Sequence, residues 1–307
     1  MTVDPSEASE SKEPSRFRTA INVAGIGFEL SSSSEMSRIG FAEVYSLFGE
    51  QAETTISIDL KFEDLPHPAV KGAREVFASE SLWSLYETDE SYLFLLRAMD
   101  DYCPPYRLAV VDKDLARGEI ISDPAGRYGR RGDRLPDPLE YPLGEALTIT
   151  LLSSGLGVMV HACGIEVDGD GYLLLGHSGC GKTTLTELFR RHGHRILNDD
   201  RIVLKLVDGY PWIYGTPWHG DCDVVSPRGV PLKKMFVIEH ASANSTRAMS
   251  ISEAVSMVLA RSFSPLWSLH GMNFTMGFIQ QAVEIVRPRH LGFVPQPEVV
   301  DFLRCDD

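Results

Sequence analysis

Residues 176–183 read Gly-His-Ser-Gly-Cys-Gly-Lys-Thr and satisfy G-x-x-x-x-G-K-[ST] at every fixed position. Each fixed position has a physical reason. Glycines at 176, 179 and 181 let the backbone wrap around phosphate oxygens with no Cβ in the way. The amide N–H groups of such a loop form an anion nest at a helix N-terminus, where the helix dipole favours negative charge. Lys182 adds a point charge at the outer phosphates, and the Thr183 hydroxyl is placed to ligate Mg²⁺. The expected nucleotide-facing set is Gly176, Ser178, Gly179, Cys180, Gly181, Lys182, Thr183 and Thr184, and the expected ligands are ATP and Mg²⁺. From average residue usage, a chance match in a chain of this length is on the order of one per cent. Cys180 could serve as an oxidation sensor within the loop, but a small residue filling a variable position is the simpler reading.

Two further features could take part in phosphoryl transfer. Asp199-Asp200 follows a short apolar run, and adjacent carboxylates suit metal handling and acceptance of a hydroxyl proton. A polar turn, Asn198-Asp199-Asp200, is the competing reading. His161 stands in an apolar stretch one hairpin before the loop. A lone His in such a stretch is most often a core residue, but the neighbouring strand leads straight into residues 176–183, which puts His161 within reach of the phosphates.

These residues require a particular frame. From Pro142 onward the pattern predicts an α/β unit: a helix over 143–152, strands over 157–167 and 172–175, the loop, and a helix over 182–191 that stops at Gly193. Short strands follow at 195–197, 202–207 and 235–239, then helices at 252–261 and 297–304. The preceding half is β-rich. Its clearest strand is 55–62, where Ile56, Ile58, Leu60 and Phe62 alternate with polar residues, and 83–86, 92–96 and 106–111 extend an expected antiparallel meander. Gly25-Ile26-Gly27 is too short for a dinucleotide fingerprint and reads as a bend between strands. Asp, Arg, Gly and Pro dominate 123–138, which marks a surface loop or boundary. The expected division is a disordered tail over 1–16, a β-rich domain with linker over 17–140 and an ATP-binding domain over 141–307.

Composition narrows the partners. A formal net charge of −14 repels polyanions, so nucleic acid is not an expected partner. No run approaches the roughly 18 apolar residues that cross a bilayer, and residues 1–16 lack an apolar signal segment. The five cysteines show no paired spacing, which points to reduced thiols and a cytoplasmic protein. A homo-oligomer stays open.

Three runs together carry a resemblance: His161-Ala-Cys-Gly-Ile, then Leu174-Leu-Gly-His-Ser-Gly-Cys-Gly-Lys-Thr-Thr-Leu, then His194-Arg-Ile-Leu-Asn-Asp-Asp-Arg. Over roughly residues 157–205 the chain resembles the catalytic domain of HPr kinase/phosphorylase, a family that shares its nucleotide core with ATP-dependent phosphoenolpyruvate carboxykinase. The resemblance continues loosely through 231–240 and from Leu291 to Arg304. It implies an α/β fold with a P-loop kinase core, ATP as donor, Asp199 and Asp200 in metal handling and proton transfer, and His161 as the active-site histidine. In place of the family's later motifs for holding HPr, this chain carries Gly215-Thr-Pro-Trp-His-Gly-Asp-Cys-Asp. In that respect it looks more like the HPr-kinase-related proteins of tailored-peptide pathways, including lasso peptide kinases. Residues 216–223 are the expected second wall of the site, with Trp218, His219 and Asp221 toward the acceptor. His219, Asp221, Cys222 and Asp223 lie too close together in one loop to converge on a zinc ion. The expected activity is transfer of the γ-phosphate to a hydroxyl, with a peptide or protein Ser as the favoured acceptor. A small-molecule kinase and a nucleotide-responsive protein with little turnover are the alternatives.

Overall fold

The computed structural model describes residues 17–34, 36–49, 53–66, 70–79, 82–97, 104–126, 134–177, 179–220 and 224–305. The expected tail, Ser178, residues 221–223 and most of the Arg- and Gly-rich stretch before Pro136 lie outside that set.

Alternating apolar residues build the first sheet from β1 (Phe17–Val23), β2 (Ile26–Ser32), β3 (Thr54–Phe62), β4 (Arg74–Ser79), β5 (Trp83–Glu87), β6 (Ser91–Leu96), β7 (Arg107–Asp112) and β8 (Arg117–Ser122), in the order β1-β2-β3-β8-β7-β6-β5-β4. Along β3, Ile56, Ile58 and Leu60 are buried while the residues between them are not, which is the period-two pattern of a half-buried strand. The bend at Ala24-Gly25 is a tight hairpin, with φ of 54° and 80° and the Gly25 N–H donating to the Asn22 side chain. The expected antiparallel meander holds for β4 to β8 but not for β3, which pairs in parallel with both β2 and β8. The chain between β2 and β3 is long and carries two short helical turns, and that length returns it to the starting edge, as a parallel neighbour requires.

The second sheet contains β9 (Val158–Val167), β10 (Asp170–Leu175), β11 (Arg195–Asn198), β12 (Arg201–Val207), β13 (Tyr210–Gly215), β14 (Gly229–His240), β15 (Ser245–Ala248) and β16 (Arg289–Phe293). Its pairings run β10-β9-β12-β13-β14, and β14 also pairs with β10 in parallel, so these five strands close on themselves. Helices α1 (Leu143–Leu151), α2 (Lys182–Arg191), α3 (Ile251–Leu259), α4 (Leu269–Ile285) and α5 (Glu298–Cys305) complete the chain. One apolar cluster joins α2 and α5 to the sheet through Ile165, Leu174, Leu185, Phe189, Phe293 and Val299. A second joins α3 and α4 through Val160, Leu173, Ala254, Ile279 and Val283.

Helix α4 has no counterpart among the expected elements. Its buried stripe is Gly271, Thr275, Phe278, Ile279, Ala282 and Val283, so glycine and threonine hide the apolar period that would have announced a helix. Ser268 starts it, accepting a hydrogen bond from the Gly271 N–H.

The two sheets share a core. Phe28, Leu60, Leu85 and Phe94 of the first form one continuous cluster with Leu143, Leu147 and Leu151 of α1 and with Met159 and Val203 of the second. Trp83 and Phe77 also meet the ring of Trp267, each at a centroid distance of 5.4 Å.

Candidate active site

The loop that joins β10 to α2 is shaped by two glycines in left-handed backbone, Gly179 at φ 79° and Gly181 at φ 98°. At Gly181 a Cβ would lie 2.6 Å from Phe293 Cζ and 2.8 Å from His240 Cε1, so both conformation and space demand glycine. The N-terminal end of α2 opens on the loop, and its first amide groups have no partner within the helix. Lys182 is buried, its Nζ donating to the carbonyl oxygens of Gly176 at 2.9 Å and His177 at 3.3 Å. Thr183 and Thr184 stand exposed on the first turn. Cys180 is buried against Gly176, inside the cluster that holds α2 to the sheet.

The aspartate pair sits in the turn between β11 and β12, and Asn198 builds that turn. Its fully buried amide accepts from the N–H groups of Asp200 and Arg201, both at 2.8 Å, and donates to the carbonyls of Thr216 at 3.0 Å and Trp218 at 2.9 Å. The polar-turn reading is therefore correct as local geometry, and the turn also presents both carboxylates. Asp199 is nearly buried, and its Oδ1 accepts from the Gly220 N–H at 3.0 Å. Asp200 accepts from Nδ1 of His161 at 2.7 Å and is also paired with Arg201.

His161 reaches Asp200 because β9 and β12 pair antiparallel with His161 opposite Arg201. Arg201 in turn lies 2.8 Å from Glu145 of α1, so a line of alternating charges runs from α1 to His161. Burial alone would push the Asp200 carboxyl up. The hydrogen bond from His161 and the charges of Arg201, His161 and Lys182 together outweigh it and hold that carboxyl below its ordinary range. For Glu145 burial prevails and raises it despite Arg201.

These groups line one cleft of 600 Å³, whose walls are His161, Gly179, Gly181, Lys182, Thr183, Thr184, Asp199, Asp200, Gly220 and His240. The structure thus gathers His161, both aspartates, Lys182 and the two threonines, which are far apart in sequence. It does not bring Trp218 to the cleft. That ring lies against α1, where a Cβ on Gly144 would stand 2.9 Å from it, and it belongs to the core shared by the sheets. His219 is exposed with Nδ1 3.0 Å from the Gly220 carbonyl, and Asp221, like Ser178, lies outside the described residues. From the expected second wall, residues 216–223, Gly220 lines the cleft, and His240 joins it unforeseen. Gly220 is held by its N–H bond to Asp199 beside the Asn198 tether on Trp218, and His240 by the pairing of β14 with β16 and its contact with the Phe293 ring, so His240 carries no local sequence signal.

The donor set suits a hard cation. Mg²⁺ is ordinarily held by one or two protein oxygens together with phosphate and water oxygens rather than by an all-protein cage. The Thr183 hydroxyl and the Asp199 carboxylate face one cleft and supply that much.

No protein-family model matches the chain. Three curated HPr kinase/phosphorylases are similar to it, from a Thermoanaerobacter strain, from Thermoanaerobacter pseudethanolicus and from Caldanaerobacter subterraneus. Each is 26% identical over 160 residues, which is 49% of this chain and 52% of the relative. The chain is HPr-kinase-like over that stretch and spans about half the length of the curated relatives it matches. Among solved structures, the Hpr(Ser) kinase/phosphatase from Coxiella burnetii aligns with 14% identity and a TM-score of 0.29, covering 48% of this chain and 93% of that one. A superposition that poor has no bearing on the architecture. Among the described residues, no helix is long and apolar enough to cross a membrane.

Proposed function

We propose that this chain is an ATP-dependent kinase with a phosphate-loop core of the HPr kinase and carboxykinase type, and that it phosphorylates a hydroxyl, foremost the Ser of a peptide or protein. The observation that carries this reading is the His161–Asp200 hydrogen bond of 2.7 Å at the wall of the cleft that also holds Lys182, Thr183 and Asp199. The distant similarity to HPr kinase/phosphorylases supports the class of reaction.

The loop amides and Lys182 would hold the β- and γ-phosphates, with Lys182 exchanging its two carbonyl partners for phosphate oxygens. Mg²⁺ on Thr183 and Asp199 would neutralise charge on the phosphates. The two aspartates divide the remaining work by position. Asp199 lines the cleft that holds Lys182, whereas Asp200 also borders a second cleft on the far side of His161. Asp200 is therefore assigned as the base. The acceptor oxygen attacks the γ-phosphorus, the bond from that phosphorus to the β,γ-bridging oxygen breaks, and its electron pair leaves with ADP. The hydroxyl proton passes to Asp200, while His161 fixes the orientation of that carboxylate.

Lys182→Ala tests the nucleotide assignment. Mg-ATP affinity, measured by titration calorimetry, should fall at least several-fold with the fold intact. Unchanged affinity in a folded variant would refute the reading.

A further inference from the structure

A second cleft, of 590 Å³, has His161, Asp200, Arg201, Arg261, Ser262 and Phe263 among its walls. It shares only His161 and Asp200 with the nucleotide cleft, so that pair forms the partition between them. In-line phosphoryl transfer needs that arrangement: the donor on one side of the base and the acceptor hydroxyl on the other.

The far wall of this second cleft is built on β9. The His161 N–H donates to the Arg261 carbonyl at 2.7 Å, Val160 bridges Ser262, and the Phe263 N–H donates to the Met159 carbonyl at 2.9 Å. Residues 261–263 are therefore held alongside β9 by one antiparallel bridge, and Arg261 is fixed beside His161. The ring of Phe263 stands edge-on to His161 at 6.4 Å and beneath Arg201 at 5.6 Å.

The charges on the two arginines differ in their use. Arg201 has carboxylates beside it, Glu145 and Asp200, although its Nε, like that of Arg261, makes no aligned hydrogen bond. Arg261 donates from Nη1 to the Met257 carbonyl at 2.9 Å, but its Nε is buried with no hydrogen-bond partner, and no carboxylate among the described residues pairs with it. A guanidinium at the wall of a cleft with no carboxylate to balance it favours an anionic ligand there.

We propose that this second cleft is the acceptor subsite, and that Arg261 binds a carboxylate carried by the acceptor next to its hydroxyl. The proposal rests on the kinase reading and supplies its substrate class: a hydroxyl flanked by an anionic group, with the Phe263 ring as an apolar floor. The carboxylate must lie on the Arg261 side of the hydroxyl, away from Asp200. It moves acceptor entry from the Trp218 and His219 side to the face formed by residues 260–263. Arg261 is here a specificity residue, and the carboxylate could be a side chain following the Ser or the terminus of a Ser-ended chain.

Two peptide pairs and two variants test this. The first pair is an end-capped pentapeptide with Ser followed by Asp, and its twin with Asn. The second ends in Ser, with a free carboxylate or an amide. Wild-type protein should favour at least one carboxylate peptide over its neutral twin by about tenfold or more in kcat/KM, the scale of a charge-assisted hydrogen bond. The pair that discriminates identifies the source of the carboxylate. Arg261→Gln should narrow that ratio to within about twofold while Mg-ATP affinity by calorimetry stays within twofold, and Arg261→Lys should restore part of the ratio. Equal use of both members of each pair by wild-type protein, or an undiminished ratio in Arg261→Gln, overturns the proposal. If no peptide is turned over, affinity for the four phosphorylated peptides in the presence of ADP is compared between wild type and Arg261→Gln, and equal affinity, including none, overturns it. Failure of the kinase reading shows separately, as Mg-ATP binding that is absent or insensitive to Lys182→Ala.

Discussion

Asp200→Asn separates a chemical role from a structural one. The substitution keeps the shape of the side chain and removes one negative charge from a position whose side chain is 18% exposed. Two interactions change: the hydrogen bond from His161 Nδ1 at 2.7 Å and the pairing with Arg201. Arg201 keeps Glu145 at 2.8 Å, so its charge stays compensated and the large penalty of a broken buried pair does not apply to it. A hydrogen bond to a charged group contributes about 1.5–3 kcal/mol, and the new amide oxygen still accepts from His161, so the net loss should be roughly 1–2 kcal/mol. At about 2–4 °C per kcal/mol for a chain of this size, thermal unfolding should shift down by about 2–8 °C. Loss of a general base costs about 100-fold or more in rate. The pH dependence has a defined sign. Because the folded Asp200 carboxyl lies below its ordinary value, its stabilisation is present above the usual carboxylate range and is lost as pH falls through the depressed value. The difference between wild type and variant should therefore be full at neutral pH and vanish in strong acid. The assays are melting curves across pH and phosphoryl transfer from labelled ATP. A variant that turns over within about threefold of wild type would refute the role of base. A variant whose stability collapses would show that Asp200 serves the fold.

Two other perturbations reach different parts of the molecule. Burial pushes the Asp137 carboxyl up to about 6, although the N–H groups of Leu139 and Ala42 donate to it. The folded chain then holds a proton that the unfolded chain has released above pH ~4, so this group lowers stability as pH rises toward 6, and Asp137→Asn should flatten that part of the melting profile. Wild-type and variant profiles of identical slope would contradict the assignment. Gly181→Ala places a methyl group 2.6 Å from Phe293 at φ 98°, which should cost about 1–3 kcal/mol in denaturant unfolding and at least tenfold in Mg-ATP affinity. Wild-type affinity in that variant would mean that the loop does not need its present curvature.

Much of the frame was legible because local rules governed it. Alternation gave β3, the glycine-lysine motif gave the turn into α2, and Gly193, at φ 82°, stands just past the helix end as expected. The aspartate turn was readable from its residue types. What escaped was fixed by distant partners. The parallel pairing of β3 depends on the length of the preceding connection, not on β3 itself. Helix α4 hides its period behind Gly271 and Thr275. Arg261 and Phe263 reach His161 only because residues 261–263 follow β9, and nothing in Ala-Arg-Ser-Phe announces that contact. Trp218 looked like a surface for a ligand because aromatic residues in polar loops often are, but the first sheet and α1 offered it more apolar area.

The Asn198 amide has a consequence for how such a chain can diverge. It ties the turn that bears both aspartates to the carbonyl of Trp218, while the Trp218 ring is lodged in apolar surroundings supplied largely by residues before 152. The aspartates thus inherit their placement from the half of the protein that, among the described residues, contributes no group to the cleft of Lys182 and Thr183. A change of volume beneath Trp218 would be felt as a rotation of the carboxylates, so the two halves must exchange substitutions in concert. Swapping the N-terminal half for that of a related protein would transplant a different seat for Trp218 and, with it, a different aim for Asp200.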